Sequence, residues 1–529
     1  MRRTNTPLLV ALCSVLTLWI CTSLTTLSRA PRTLGIATAQ AASTSARTHV
    51  YEGDLILDES TSPHARWIGI THIQGNLIIR NYGSKRLPSD FRHLEHIEGE
   101  LRIENNSRVT ALRFPKLKTV LGGIWIQNND RLRRIDNFDA LTECKRIEIT
   151  KNPTLKNIGN FSVLPQLPLG LRISENGALE RAPALPELVE AFGLSWSVNP
   201  KLRSIPDLPK LTRVNDSIAI SANASLRETP AFPELTHLGK LEIVSNAALR
   251  HIAELPKLRD GALDFEVKWN VRLTETPEFP ALQHASKIII HRGYSLTKIG
   301  AFPMLQTVGT LVFEENRKLT ETPSFPALTQ ATLLSWIDNA TLTSLGAFPK
   351  LVELGVLEVK SNPSLTRGPS FEALRVAEAI AIKNNDALTS VADFPTLQTV
   401  NGGISFANNI QLTEGPNLPE LTHVGGLLAS NNAQLTTLGF YPQLEQIREE
   451  LTVDHNPSLE TMAVLHHLSP SPQLRQIYVS HNPNLCQCSL EKLAATLQKH
   501  QEAQSVDLSA NGPCRQSYGE YTIEAQTSN

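Results

Sequence analysis

The chain is poor in most of what marks an enzyme site or a nucleic-acid binder. Aromatic residues make up only 5% of its 529 residues, while Leu, Ile, Val and Ala are plentiful. Its 50 Lys and Arg nearly balance 51 Asp and Glu, for a formal net charge of -1. That leaves no basic field to attract nucleic acid and no acidic tail of the disordered kind. There is no Gly-x-Ser-x-Gly elbow, no His-Glu-x-x-His and no phosphate loop, so the sequence implies neither an enzyme nor a cofactor. His93 and His96 flank Leu94-Glu95 without zinc-ligand spacing. After one N-terminal apolar run there is no second, so only that first segment is a candidate for the membrane. The C-terminal Glu524 to Asn529 is polar, which excludes a glycolipid-anchor tail there.

The N-terminus has the layout of an export signal. Arg2 and Arg3 precede an apolar run from Leu8 to Ile20, and Ala39-Gln40-Ala41 forms a small-residue cleavage site. We expect residues 1–41 to be a signal peptide or a retained signal anchor, with 42–50 as a linker. Cys21 follows Leu18-Trp19-Ile20, which lacks the small residue that lipidation requires. The localisation implied is secreted, cell surface or cell envelope.

Self-similarity dominates the rest. The block Leu357 to Leu365 reads apolar-x-apolar-x-x-Asn-x-x-Leu. Its Asn recurs at Asn106, Asn129, Asn152, Asn176, Asn199, Asn223, Asn246 and Asn270. After a break at Gly293 it continues at Asn316, Asn339, Asn362, Asn385, Asn409, Asn432, Asn456 and Asn482. Steps are 23 or 24 residues, with a last step of 26. A fixed period of this length means stacked coils that share one core.

Each part of the repeat has a physical task. The alternating pair, such as Leu357 and Val359, reads as a short strand with one buried face. The Asn closes the turn, and stacked amides should form a ladder. Segments such as Phe348-Pro349-Lys350-Leu351 fill the second half of the coil, with proline at a corner. Gly-Gly at 122–123, 402–403 and 425–426 permits close approach to the next strand. A longer beat alternates Thr-Pro or Gly-Pro coils (Thr276, Thr322, Gly368, Gly415) with Ile-Gly or Leu-Gly coils (Ile299, Leu345, Leu438), as duplication of a two-coil unit would leave. The fold class expected is an all-β repeat: a single long parallel β-solenoid over residues 51–485. It should comprise about 19 coils and run for roughly 90 Å at the usual strand spacing.

These blocks resemble receptor L-domain repeats and, more broadly, extracellular leucine-rich repeats. The Asn-x-x-Leu spacing favours the L-domain variant over the usual Asn-x-Leu. The resemblance covers about residues 50 to 514 and carries the fold more than the function. It also extends to the C-terminal end. Asn482 to Leu490, with Cys486 and Cys488, leads into a helix from Leu490 to about His500. A last strand follows at Ser505 to Leu508, and Asn511-Gly512-Pro513-Cys514 comes next. This is similar to the cysteine-bearing caps of such proteins, so the resemblance implies a disulfide-bonded cap over 486–514. The preferred bridge is Cys488 to Cys514, with Cys486 as the alternative partner, and 515–529 is a polar tail. Cys144 reads as a small core residue.

Binding is therefore sought on the outward face of the sheet. Most outward positions are polar, among them Glu104, Gln127, Ser174, Ser197, Ser221, Lys360 and Lys383. The exceptions gather beside the Gly293 break. Trp269, Ile289, His291, Arg292 and Val312 are the candidate ligand-contact residues, since aromatic and Arg side chains among aliphatics typify binding hot spots. Trp125 is a separate outward aromatic, whereas Trp196 and Trp336 fall at core positions. His455 and His481 precede the Asn in adjacent coils and read as exposed turn residues, so no metal is expected. Five glycosylation sequons begin at Asn105, Asn160, Asn215, Asn223 and Asn339, two of them on ladder positions. The function implied is a non-enzymatic exported recognition or adhesion module that binds an extracellular protein or glycan. The alternative is a structural envelope protein without a specific ligand. No nucleic-acid partner is expected, and membrane contact would come only through the N-terminus.

Overall fold

In the computed structural model, residues 49–61, 67, 69–259, 261–497 and 505–513 are described. They form a parallel β-solenoid of about 18 turns. The expected leader, the second half of the preferred disulfide and the polar tail lie outside the described residues. No helix among those described is long and apolar enough to cross a membrane.

The first strand is His49–Tyr51, just ahead of the expected start. From there every paired strand in the main sheet runs parallel to its neighbours. In the first coils each turn contributes two short strands, such as Ile70–Ile73 and Leu77–Arg80. Farther along they fuse into one bent strand of eight or nine residues, as in Thr307–Glu314 and Thr399–Ala407. The strand is thus longer than the alternating pair suggests. The reason shows in its burial: in Thr307–Glu314, Val308, Leu311 and Phe313 are buried, with two outward residues, Gly309 and Thr310, between the first two. That doubled outward step bends the strand. Glycine is placed here because a Cβ on Gly309 would come 2.4 Å from the Ser286 carbonyl oxygen of the previous coil. Gly122 and Gly123 likewise lie inside the strand Thr119–Gln127, at its bend, not before it.

The Asn ladder is buried and is interrupted at Gly293, whose N–H still donates to Asn316 Oδ1 at 3.0 Å. The Asn106 backbone N–H donates to Asn129 Oδ1 at 3.2 Å, and the Asn106 side-chain amide donates back to the Ile79 carbonyl at 2.9 Å. Each ladder Asn from Asn106 to Asn482 is at most 1% exposed. The amide serves both neighbours, so a corner that carries one keeps its backbone satisfied without water. The ladder also has a rung beyond those expected: Asn482 N–H donates to Asn511 Oδ1 at 3.1 Å. The residue before each rung is left-handed, with φ from 49° to 59° at all nineteen non-glycine positions. Asn tolerates that conformation; bulkier residues pay roughly 1–2 kcal/mol for it.

Aromatic rings line up behind the ladder. Phe279, Phe302, Phe325, Phe348, Phe371 and Phe394 stack with centroids 5.1 to 5.8 Å apart. Trp196 and Trp336 are fully buried, as expected. The two-coil beat has a local cause. Thr276 Oγ1 accepts the Gly300 N–H, and Thr322 Oγ1 accepts the Gly346 N–H, both at 3.0 Å. A Cβ on Gly300 or Gly346 would overlap the Pro277 or Pro323 carbonyl of the coil before. Each Thr-Pro coil therefore fits a following glycine coil. The stack ends on the helix Gln487–Leu497, which begins three residues ahead of the expected start at Leu490. It buries Leu490, Leu493, Ala494 and Leu497, and the strand Ser505–Asp507 closes the sheet.

Candidate functional site

Three columns set the geometry of the candidate site. On the outward face of the sheet, Glu266, Ile289 and Val312 are register neighbours. One step farther along the strands, Lys268, His291 and Glu314 are neighbours in the same way. Past the strand ends, Trp269, Arg292 and Glu315 occupy three successive left-handed corners. Trp269 and Arg292 therefore sit at the edge of the sheet and not on its outward face, where the alternation placed them. The corner turns Trp269 outward and leaves it 38% exposed.

The corner residues are tightly coupled. Arg292 grips Glu315 through Nε at 3.0 Å and Nη2 at 2.8 Å. His291 Nε2 lies 3.4 Å from the same carboxylate. The Trp269 ring packs 5.5 Å from the His291 ring, and the Arg292 guanidinium lies 5.8 Å from the indole centroid. The Arg292 hydrogen bond holds the Glu315 carboxyl below its usual range, against a smaller opposing effect of burial. Beside this corner, Glu266 is nearly buried and ringed by Lys268 at 2.7 Å, Lys287 at 3.2 Å and Lys240 at 3.9 Å. Burial pushes its carboxyl upward, but the Lys268 hydrogen bond and the surrounding lysine charges outweigh that and lower it. The structure thus gathers Trp269, Ile289, His291, Arg292 and Val312 in three adjacent coils. It adds Glu314 and Glu315, which alternation alone did not single out.

Trp125 does not join them. Its coil lies six corner positions before that of Trp269, or roughly 29 Å at ordinary strand spacing. Its indole is flanked by Arg102 and Arg146, with guanidinium carbons 5.9 and 5.4 Å from the ring centroid. Ser174 corrects another expectation: it is only 1% exposed and does not present a polar outward face.

Two further surfaces escape a strand-based reading, because they lie on the side of each coil away from the main sheet. Arg86, Arg92, Arg113, Arg133 and Arg134 line a cleft of about 660 Å³ with Asp136. Asp136 lies 3.3 Å from Arg134 and 3.7 Å from Arg113, so the cleft remains strongly positive. Farther along, Thr274, Thr297, Thr320, Thr343, Thr366, Thr389, Thr413 and Thr436 form an exposed column, one per coil. Several hydroxyls donate to the carbonyl of the preceding threonine, as Thr343 does to Thr320 at 3.0 Å. The recurring Leu-Thr dipeptide was the available signal for this column.

Neither a family model nor a curated protein matches the chain. Among solved structures, it is similar to a leucine-rich repeat protein from Bacteroides ovatus, at 13% identity and a TM-score of 0.24. That alignment covers 57% of this chain and 88% of the other. A second similarity is to the chain in a TLR13–ssRNA13 complex, at 12% identity and a TM-score of 0.14, covering 84% of this chain and 88% of that one. Likenesses this distant leave the fold to rest on the chain's own geometry. By the 23-to-24-residue period, the buried asparagine ladder and the parallel coils, this protein is a leucine-rich-repeat-like β-solenoid.

Proposed function

We propose that the chain is an exported, non-enzymatic recognition module of receptor L-domain character. In this reading it works outside the cell or on its surface and binds a protein or glycan beside the Trp269 corner. The observation that carries the reading is Trp269 itself. A bulky aromatic is held at φ 54°, partly exposed, with Arg292 and His291 against its ring. Backbone strain of this kind costs about 1–2 kcal/mol and persists where the surrounding structure imposes it. Tryptophan and arginine are also the side chains that most often dominate binding energy. Ile289 and Val312 supply an adjoining apolar strip, and Glu314 and Glu315 supply acceptors for ligand hydroxyls or amides.

The test is a binding screen of the purified chain against glycans and extracellular proteins, with Trp269→Ala and Arg292→Ala in parallel. A ligand whose affinity falls by tenfold or more in Trp269→Ala, equivalent to about 1.4 kcal/mol, supports the reading, provided melting is unchanged. A ligand bound equally well by both variants removes the corner from the interface. Mass spectrometry of the mature N-terminus checks export, with Ala42 as the expected first residue. A non-reducing peptide map checks the proposed Cys488–Cys514 bridge.

A further inference from the structure

A second side-chain cluster lies at the same corner, near the C-terminal end of the stack. His455 and His481 occupy successive left-handed positions, at φ 54° and 56°. The three corners before them hold Asn384, Asn408 and Asn431, residues that suit this conformation. The two imidazoles lie parallel, 8° apart, with centroids at 4.2 Å. Both turn Nδ1 toward Asp454, at 2.7 Å for His455 and 3.4 Å for His481. Ser480 Oγ donates to Asp454 Oδ1 at 2.8 Å and fixes the carboxylate between them. One ligand atom from each of the three residues lies within 4.8 Å of the other two.

We propose that Asp454, His455 and His481 bind a divalent transition cation of the zinc class, with a fourth position left open. Two imidazoles and a carboxylate match what such cations take from proteins. Ligands held at ordinary zinc distances around a tetrahedral ion are roughly 3.3–3.5 Å apart. The 3.4 Å from His481 Nδ1 to Asp454 Oδ1 already meets this spacing, while His455 Nδ1 lies on the other carboxylate oxygen, Oδ2. One oxygen serves both rings at the ion, so the His455 ring has to move from its 2.7 Å contact with Oδ2 to roughly 3.4 Å from Oδ1. Both rings are about half exposed and can rotate out of the stack until their lone pairs converge. The backbone stays in place, because the Asn456 and Asn482 N–H groups are bonded into the ladder at 2.9 and 3.1 Å. Asp507 in the next coil adds negative charge within reach of His481.

The Trp269 corner provides the contrast. His291, Glu314 and Glu315 also place potential ligand atoms within 4.8 Å of one another. There, however, Glu315 is held in two bonds by Arg292. A cation would have to displace a guanidinium and remain next to its charge. Asp454 instead faces imidazoles, which can give up a proton and become ligands.

Zinc(II) and copper(II) are titrated separately into the purified, metal-stripped chain. One tightly bound equivalent is expected, and the copper(II) complex should show electron-paramagnetic coupling to two imidazole nitrogens. His455→Gln and His481→Gln should each weaken zinc binding by about tenfold or more, while His291→Gln leaves it unchanged. Glutamine keeps a polar side chain at the corner, and unchanged melting confirms that each variant is folded. The spectrum of the unmutated chain stands independently of the variants. No binding at micromolar zinc, a histidine variant that binds zinc as tightly as the unmutated chain, or a copper spectrum without two imidazoles would each overturn the proposal.

Discussion

Arg292 and Glu315 sit in adjacent coils yet form a two-point ion pair, with bonds of 2.8 and 3.0 Å across the corner of the solenoid. The pair ties two coils together on the surface. Arg292 is more than a third exposed, so water screens the interaction and its worth is small. The Arg292 bond lowers the Glu315 carboxyl in the folded chain. Its contribution is therefore complete above the unfolded glutamate pKa of about 4.3. It is lost as pH falls through the depressed folded value. Glu315→Gln should melt slightly lower than the unmutated chain near neutrality. The gap should close as the pH is taken well below about 4. A gap that holds constant to strong acid would show that the pair adds no stability.

Asn362 is a typical rung. Its Oδ1 accepts the Asn339 N–H at 3.1 Å, and its amide donates to the Trp336 and Lys360 carbonyls, both at 3.0 Å. Asn362→Ala strands several buried groups at once. We expect a loss of about 2–3 kcal/mol, since each unsatisfied buried group costs about 1–3 kcal/mol and the chain relaxes in part. Urea denaturation measures it. Coils contact chiefly their neighbours, so hydrogen exchange should rise first around this rung. A shift below about 0.5 kcal/mol would mean that water replaces the ladder there.

Cys144 is 2% exposed, and its thiol lies 3.0 Å from the Arg146 carbonyl. Burial pushes the thiol up to about 12. The native chain should leave Cys144 unmodified by iodoacetamide near pH 8, where a free cysteine reacts through its thiolate. Modification should appear only with denaturant, and peptide mapping identifies it. Rapid labelling of the native chain at Cys144 would show that this coil opens locally.

The fold was legible because the repeat speaks many times over. A single Asn or Leu means little, but a slot that recurs at a fixed period fixes the coil length, the buried face and the ladder. Trp196 and Trp336 could be placed in the core for the same reason. What stayed hidden depends on angles that a period-two alternation does not encode. The doubled outward step at Gly309-Thr310 bends the strand, and the left-handed residue after each strand swings Trp269 and Arg292 off the face. Asn511 was missed as a rung because the helix Gln487–Leu497 interrupts the period before it.

The candidate sites divide along the same line. The sequence determined which coils carry Trp269, Arg292, His455 and His481, because stacking in register follows directly from the repeat. The tertiary structure decided which neighbours face one another. Arg292 holds Glu315 in two bonds, although His291 still lies 3.4 Å from that carboxylate. Asp454 instead lies between His455 and His481. The physical reason is that the period sets where each backbone corner stands, while the direction of each side chain leaving it depends on φ, rotamer and the partner across the gap.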